Sequence, residues 1–460
     1  MNATLQFLGA AETVTGSKHL LKVDGKAYLI DCGLFQGSKE LKERNWKPLS
    51  VPAHEIDAVL VTHAHIDHIG YLPRLVKDGY AGPIHCTAAT AEITRLSLPD
   101  SGHLQEEYAR YANKKGFSKH KPALPLYTAE DAHRACKLLK DEKFDEVISL
   151  EAGCSLRYRR AGHILGSAFI EFFLPDGRCV LFGGDLGRFN TPIIRDPVMM
   201  ESADVLLIES TYGDRVHAKT SPAQELLEIV RAAQQNRGMV VIPAFAIGRT
   251  QDVLYYLHEL QMAGDLPDIP VYVDSPMAVD ATGIYARHHE DHDIEMEKLE
   301  DDNLNPLKPK YVRFVRTVQE SKKINEDRGP GIIIASSGMA TGGRVVHHLA
   351  RRLPNPESII LFVGYQAEGT LGRRLTEGAP DVKIMGDLTP VRASVRQIGS
   401  LSAHADSDEI LDWLRGFKVR PKATYIVHGE PPAQASLQER MRAELGWEAH
   451  IPKMFETVTL

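Results

Sequence analysis

Apolar and polar residues alternate over short stretches at the start of the chain, where residues 3–9 (ATLQFLG), 18–23 (KHLLKV) and 26–31 (KAYLID) read as strands. Gly16-Ser17 and Asp24-Gly25 separate them, and the second pair is a strong two-residue hairpin signal, so an antiparallel sheet opens the fold. Residues 57–61 (DAVLV) form an apolar, β-branched run, the pattern of a buried strand. Helix-like segments follow near 88–96, 99–115 and 128–140, after which residues 144–183 return to strands and 203–208 (ADVLLI) add another. From about 211 the pattern alternates. Helices are expected at 221–236, 249–262, 277–288 and 342–352, with strands at 239–244, 269–274, 331–336 and 358–363 between them. Such alternation indicates βαβ units and a parallel sheet, hence a second domain. Residues 289–311 are charge-rich and weakly periodic, as a surface excursion would be. Strands at 391–398 and 424–428 return to the style of the first section, so the second domain reads as an insertion, with boundaries at 1–210, 211–388 and 389–460.

A length of 460 residues exceeds one ordinary core, and 43% hydrophobic content is that of a globular protein. No apolar run approaches the roughly eighteen residues that span a bilayer, and Met1-Asn2-Ala3-Thr4 does not open a signal-peptide pattern. The expectation is a soluble, cytoplasmic protein without a membrane partner. Five scattered cysteines without a C-x-x-C pair fit buried thiols in a reducing compartment. A net charge of -7 argues against indiscriminate coating of nucleic acid but leaves room for a local basic groove.

The stretch Thr62-His63-Ala64-His65-Ile66-Asp67-His68 follows the DAVLV run, where a buried strand gives way to a loop. Three imidazoles and a carboxylate within six residues are ordinary donors for a borderline-soft divalent ion. Asp31 ends the third strand, His163 stands in Ala161-Gly162-His163 and Asp185 in Gly183-Gly184-Asp185; glycines there let the backbone approach a metal closely. Each of these alone is more often structural. Glu209 ends strand 203–208, His404 lies in Ser402-Ala403-His404-Ala405-Asp406, and His428 ends a further strand. His288, His289, Asp291, His292 and Asp293 tempt a second metal reading, but no apolar strand or glycine scaffold positions them. In the inserted domain, Arg249, Asp274, Ser275, Ser336, Gly338, Met339 and Arg344 stand at strand ends; with Ser402 they are the candidate substrate contacts, the arginines serving as phosphate forks.

Taken together these motifs resemble the β-CASP family of metallo-β-lactamase-fold ribonucleases, over nearly the whole chain. The family's motifs fall on Asp31, on His63, His65, Asp67 and His68, on His163, on Asp185, on Glu209, on His404 and on His428. The resemblance implies an α/β architecture: an αββα metallo-β-lactamase sandwich with an inserted β-CASP parallel-sheet domain capping the site. It implies two Zn²⁺ ions, one on His63, His65 and His163, the other on Asp67, His68 and His428, with Asp185 bridging. Asp31, Glu209 and His404 complete the catalytic set without ligating metal. A histidine at the last motif position, His428, is the pattern of RNA-acting members, and the chain most resembles the compact bacterial ribonucleases of the group.

The expected partner is single-stranded RNA, and a homodimer is compatible with the pattern. Two zinc ions would lower the pKa of a bridging water and present hydroxide to a scissile phosphate. His404, kept cationic by Glu209, fits the general acid for the leaving oxygen. The closest rival is a DNA-processing β-CASP nuclease. A small-molecule metallo-hydrolase has no use for some two hundred residues between Asp185 and His428, and a catalytically dead scaffold subunit normally shows broken ligands.

Overall fold

The computed structural model describes residues 2–460 except Phe117 and Lys119. The chain divides into two compact units, one of Met1–Asn190, Asp196–Val216 and His404–Leu460, the other of Thr191–Arg195 and His217–Ala403. The inserted unit thus runs past residue 389 to Ala403, because strand Ser394–Gln397 adds in parallel to Ile359–Phe362 at the edge of its sheet.

Two sheets build the first unit. One has the strand order Thr457–Thr459, Ala3–Phe7, His19–Val23, Lys26–Ile30, Ala58–Leu60, Ile84–Thr87, Leu139–Glu142. It is antiparallel up to Lys26–Ile30 and parallel from there on. Asp24 and Gly25 make the tight hairpin with φ of 45° and 87°, the double positive φ that a type I′ turn needs and that Asp-Gly supplies. The second sheet has the order Ala423–Ile426, Val205–Ile208, Cys179–Phe182, Ala168–Phe173, Ser155–Arg160, Val147–Ser149.

Side-chain alternation sorts each strand of this second sheet between two cores. Val205 and Leu207 join Phe172, Val180 and Leu156 against Leu5, Tyr28, Ile30 and Leu60 of the first sheet. Leu206 and Ile208 point the other way, onto Leu411, Trp413 and Leu437 of helices Ser407–Leu414 and Pro431–Arg440. Each such side chain contributes about 1.5–3 kcal/mol when fully buried, so both faces of the sheet must be covered. Helices Ala88–Lys115 and Ala129–Cys136 pack on each other, and the first also lies against Ile84–Thr87 and Leu139–Glu142. The layers are helix, sheet, sheet, helix.

Two expected elements differ here. Segments 88–96 and 99–115 are one helix that runs through Pro99. A proline inside a helix costs about 3 kcal/mol, and burial outweighs it: a Cβ on Gly102 would lie 2.6 Å from the Ala129 nitrogen, so the helix sits hard against the next segment. The helix expected over 128–140 stops at Cys136, and Leu139–Glu142 pairs with Ile84–Thr87 instead, a case of tertiary pairing overriding local propensity.

The second unit holds a parallel sheet of order Val312–Phe314, Val271–Val273, Gly331–Ala335, Met239–Pro243, Ile359–Phe362, Ser394–Gln397. Its central strands are buried along their full length, which is why they read as unbroken apolar runs. Helices Pro222–Asn236 and Arg249–Met262 cover one face and Val345–Arg352 the other. The charge-rich 289–311 segment is more ordered than its composition suggested, since it contains helix Ile294–Asp301, capped by Asp293. Among the described residues no helix is long and apolar enough to cross a membrane.

Candidate metal centre

The buried strand Ala58–Leu60 delivers Val61, Thr62 and His63 to one end of the first unit, and the chain then turns into the short helix Ile66–Ile69 with His65 at its N-cap. One turn therefore carries His65, Asp67 and His68. Backbone bonds from Ser17 to the Asp67 carbonyl (2.9 Å), from Cys32 to that of His68 (2.7 Å) and from Leu34 to that of Ile66 (3.0 Å) hold this turn against the first hairpins. A Cβ on Gly33 would sit 1.5 Å from the Asp67 carbonyl oxygen, so only glycine permits the approach.

His163 follows strand Ser155–Arg160, with its backbone nitrogen 2.9 Å from the Ser167 hydroxyl. Asp185 follows Cys179–Phe182 through two glycines. His428 follows Ala423–Ile426 in a left-handed conformation (φ 51°), its N–H donated to the Ala10 carbonyl at 2.8 Å. Left-handed backbone at a non-glycine residue is costly and persists where the surroundings over-determine it, commonly at functional sites.

These seven side chains converge in two groups that share one carboxylate. His65 Nδ1 lies 3.1 Å from both His63 Nε2 and His163 Nε2. Asp185 Oδ2 is 3.4 Å from His63 Nε2 and 3.5 Å from His163 Nε2. On the other side His68 Nε2 is 3.2 Å from His428 Nε2 and 3.3 Å from Asp185 Oδ1, and His428 Nε2 is 3.5 Å from Asp67 Oδ2. Asp185 Oδ1 is buried without a hydrogen-bond partner. A buried carboxylate oxygen without a hydrogen bond, amid converging imidazole nitrogens, is the surrounding a divalent cation satisfies, and the spacings are near the roughly 3.3 Å edge of a tetrahedron with nitrogen at about 2.0–2.1 Å from zinc.

Charge agrees with that reading. Burial, with neighbouring histidines adding to it, holds His63, His65 and His163 below the usual imidazole range, His65 at about 3, so these rings are neutral and can donate lone pairs. Burial also opposes charge on His68 and His428, but Asp185 raises both, helped by Asp31 beside His68 and Asp67 beside His428. Against its own burial, Asp185 is held well below the usual carboxylate range by His428, His68 and His63.

Behind the ligands stands a set of orienting groups. Asp31 accepts from His68 Nδ1 at 2.7 Å, which fixes the proton there and leaves Nε2 for metal. Thr62 donates its N–H to Asp31 at 2.8 Å and its hydroxyl at 2.9 Å, and the same hydroxyl lies 3.1 Å from His63 Nδ1. Thr211 does the equivalent on the far side, donating to Glu209 at 2.5 Å and lying 3.2 Å from His428 Nδ1. Sequence reasoning gave neither threonine a role; the only available signal was Thr62 immediately ahead of His63.

His404 sits beside this centre. Its Nδ1 is 3.0 Å from Glu209 Oε2 and 3.8 Å from Asp185 Oδ2, and its ring centroid is 4.5 Å from that of His163. Burial disfavours the cation, yet Glu209, then Asp185 and Asp67, carry His404 up to about 9. Asp185, Glu209 and His404 are themselves close enough to hold a metal. Glu209, however, already accepts from the Leu186 N–H at 2.6 Å and from Thr211, so both its oxygens are engaged in hydrogen bonds.

The candidate substrate contacts lie in the second unit at the carboxyl ends of its strands. There Asp274 is fully buried and accepts from Arg344 (2.6 Å), Ser321 (2.6 Å) and His348 (2.7 Å). Arg344 also donates to the Val315 and Arg316 carbonyls, and Arg249 pairs with Asp252 at 2.7 Å. Neither guanidinium is presented as a bare fork. Ser275 caps helix Pro276–Tyr285 and accepts from Ser336 at 3.1 Å. Gly338 and Met339 give their carbonyls to Gln366 and Gly372, and Ser402 is buried next to the end of the unit. This cluster holds the sheet end together.

Three family models match successive parts of the chain: the metallo-beta-lactamase superfamily at 16–244, the Beta-Casp domain at 250–375 and the Zn-dependent metallo-hydrolase RNA specificity domain at 389–452. The chain is 38% identical over 453 residues to Ribonuclease TTHA0252 of Thermus thermophilus, covering 98% of both chains. It is 32% identical over 466 residues to Transcription termination factor FttA of Methanosarcina mazei, covering 98% of this chain and 71% of that one. The FttA of Methanocaldococcus jannaschii is 30% identical, again with 71% of its length covered. Among solved structures, a protein of unknown function from Enterococcus faecalis shares the fold with a TM-score of 0.54, at 12% identity and full coverage of both chains.

Proposed function

Since the chain belongs to the β-CASP metallo-hydrolase ribonuclease family, we propose that it is a zinc-dependent ribonuclease that hydrolyses phosphodiester bonds of single-stranded RNA. The observation that carries this reading is the pairing of two donor groups through Asp185 with a histidine, His404, that stands beside them and is oriented by a carboxylate of its own. His63, His65 and His163 would hold one zinc and Asp67, His68 and His428 the other, with Asp185 near both groups. When bound, two such ions polarise a phosphoryl oxygen and lower the pKa of a water between them. Imidazole-rich donors favour zinc over magnesium, which prefers oxygen.

The protein's own groups do the rest. Asp31 and Thr62 keep His68 and His63 in the orientation that aims their lone pairs inward. Glu209 holds a proton on His404 Nδ1, which leaves Nε2 as the atom that hands a proton to the departing 3′-oxygen. The RNA specificity domain match and the full-length likeness to a ribonuclease support RNA over DNA as substrate.

End-labelled single-stranded RNA, matched single-stranded DNA and duplex RNA, incubated with the protein and resolved on a gel, test this. Cleavage of the unpaired RNA, abolished by chelator and restored by Zn²⁺ or Mn²⁺, is expected. Equal cleavage of DNA, or hydrolysis indifferent to chelator, overturns it.

A further inference from the structure

A second constellation of metal-binding side chains lies in the inserted unit. His289 opens a short 3₁₀ turn, His292 ends it, and Glu300 comes from the last turn of the following helix Ile294–Asp301. The helix reverses the chain so that Glu300 lies over both histidines. Its Oε2 is 2.8 Å from His289 Nδ1, and its oxygens are 3.2 Å from His292 Nδ1. The two rings stand edge to face, with centroids 5.3 Å apart and planes at 84°.

His292 is fully buried, and its Nε2 lies 2.8 Å from the Tyr285 carbonyl. A carbonyl can only accept, so Nε2 carries the proton. In the neutral ring Nδ1 is then a lone pair, aimed at a carboxylate that also can only accept. A proton, on the ring or on the carboxyl, or a metal cation has to stand between them. A histidine that donates one N–H to a backbone carbonyl while turning the other nitrogen inward has the arrangement found behind metal-ligating imidazoles. The 3.2 Å from His292 Nδ1 to Glu300 falls within the 3.1–3.5 Å spacing of the main centre, while the 2.8 Å from His289 Nδ1 is a hydrogen-bond distance that opens when an ion takes the proton's place.

The scaffold is held by hydrogen bonds on both sides. Residues Thr191–Arg195 of the same unit run alongside: Arg195 N donates to the Asp291 carbonyl (2.9 Å) and Asp293 N to that of Ile193 (3.0 Å). Arg195 Nε donates to the His292 carbonyl at 2.8 Å, and its Nη2 pairs with Glu297 Oε1 at 2.8 Å. A positioned backbone on both sides of His292 is what the amino-acid pattern alone had not revealed.

We propose that His289, His292 and Glu300 form an additional divalent-metal site, structural rather than catalytic. Two of its three donors are imidazole, which selects zinc-class ions over Mg²⁺ or Ca²⁺. His289 is exposed, so water completes the coordination, and the bound ion ties the 3₁₀ turn to the end of the helix.

The test uses crystals of the full-length protein grown with ZnCl₂, with diffraction measured above and below the zinc absorption edge. An anomalous peak within bonding distance of His289 Nδ1, His292 Nδ1 and the Glu300 carboxylate is expected. His289→Ala removes an exposed ligand and should erase that peak, as should Glu300→Gln, or weaken zinc affinity there by about tenfold or more. Both variants should keep the peaks at the main centre, the wild-type melting curve in chelator and the wild-type rate of RNA hydrolysis. No peak at saturating zinc means that a proton alone stands between His292 and Glu300, and the proposal fails. It fails equally if the peak survives both substitutions, or if RNA hydrolysis falls while the main-centre peaks are intact.

Discussion

Glu209 holds His404 through Nδ1 at 3.0 Å while its own oxygens are taken up by the Leu186 amide and the Thr211 hydroxyl. The histidine is therefore tethered to a carboxylate already engaged by three donors. His404→Ala should keep both zinc ions and lose a factor of about 10²–10⁴ in turnover, the usual cost of removing a general acid. His65→Ala should lose metal and activity together. Glu209→Gln should resemble the His404 change more weakly, because it keeps a hydrogen bond but removes the charge that favours imidazolium. Zinc content and rate measured on one preparation decide the matter; loss of zinc in His404→Ala would make that residue a ligand.

Removal of Asp185 should disturb both donor groups at once, since its two oxygens face different histidine sets. Asp185→Asn is expected to weaken both ions and to lower the melting temperature measured with zinc present. A bound ion stabilises the folded state by RT ln(1 + [L]/Kd), about 4 kcal/mol at a thousandfold excess over Kd. Elemental analysis and calorimetric melting with and without chelator provide the check. An Asp185→Asn protein whose stability still responds to zinc as the wild type does would contradict the shared role.

Thr62 joins Asp31 to His63 through one hydroxyl. Thr62→Val keeps the shape but leaves a buried carboxylate short of one donor, at a cost of about 1–3 kcal/mol in stability. Because ligand orientation goes with it, zinc affinity should fall by about 10–100-fold. Competition against a fluorescent zinc chelator measures this; unchanged affinity would show that the backbone alone orients His63.

Lys18 offers a stability effect with a definite sign. Its ammonium is buried, bonded to the Gly33 carbonyl and set 4.6 and 4.8 Å from the Phe35 and Tyr71 ring centroids. Burial, opposed weakly by the nearby Cys32, lowers it to about 8. Cys32 is pushed up to about 12 by burial, and Tyr71 is raised as well, so both lose their protons first in the unfolded chain and oppose the lysine's effect; comparison with a Lys18 variant isolates the lysine. Between pH 8 and about 10.5 the unfolded chain keeps a proton that the folded chain has released, so folding stability gains from this residue as pH rises, on the order of 3 kcal/mol in all. Urea midpoints of wild type and Lys18→Met across that window should diverge, with the rise absent in the variant.

Much of this arrangement could be read from residue order. The H-x-H-x-D-H string after DAVLV could be read as four converging donor side chains because the apolar run ends where the buried strand Ala58–Leu60 ends. Asp24-Gly25 marked a hairpin because few other pairs tolerate two positive φ values. Other features depend on partners distant in sequence. Residues 139–142 (LKDE) look helical until Ile84–Thr87 supplies an edge to pair with. The 391–398 strand read as the start of the closing segment, whereas Ser394–Gln397 extends the inserted sheet. Arg344 reads as a phosphate fork because its partner Asp274 lies 70 residues away, whereas the partner of Arg249, Asp252, stands only three residues on, one helical turn away. His289 and His292 look unsupported in sequence because the strap at Thr191–Arg195 lies about a hundred residues earlier and Glu300 reaches them only once helix Ile294–Asp301 has formed.

The first unit is interrupted by the second, so that His404 and His428 are synthesised after residues 217–403. A nascent chain that has made His63, His65, Asp67, His68, His163 and Asp185 can assemble at most one donor group, with no oriented acid beside it. The order of the chain thus acts as a timer: a nuclease being translated from an RNA template has no complete cutting site until the intervening unit has been made and can fold.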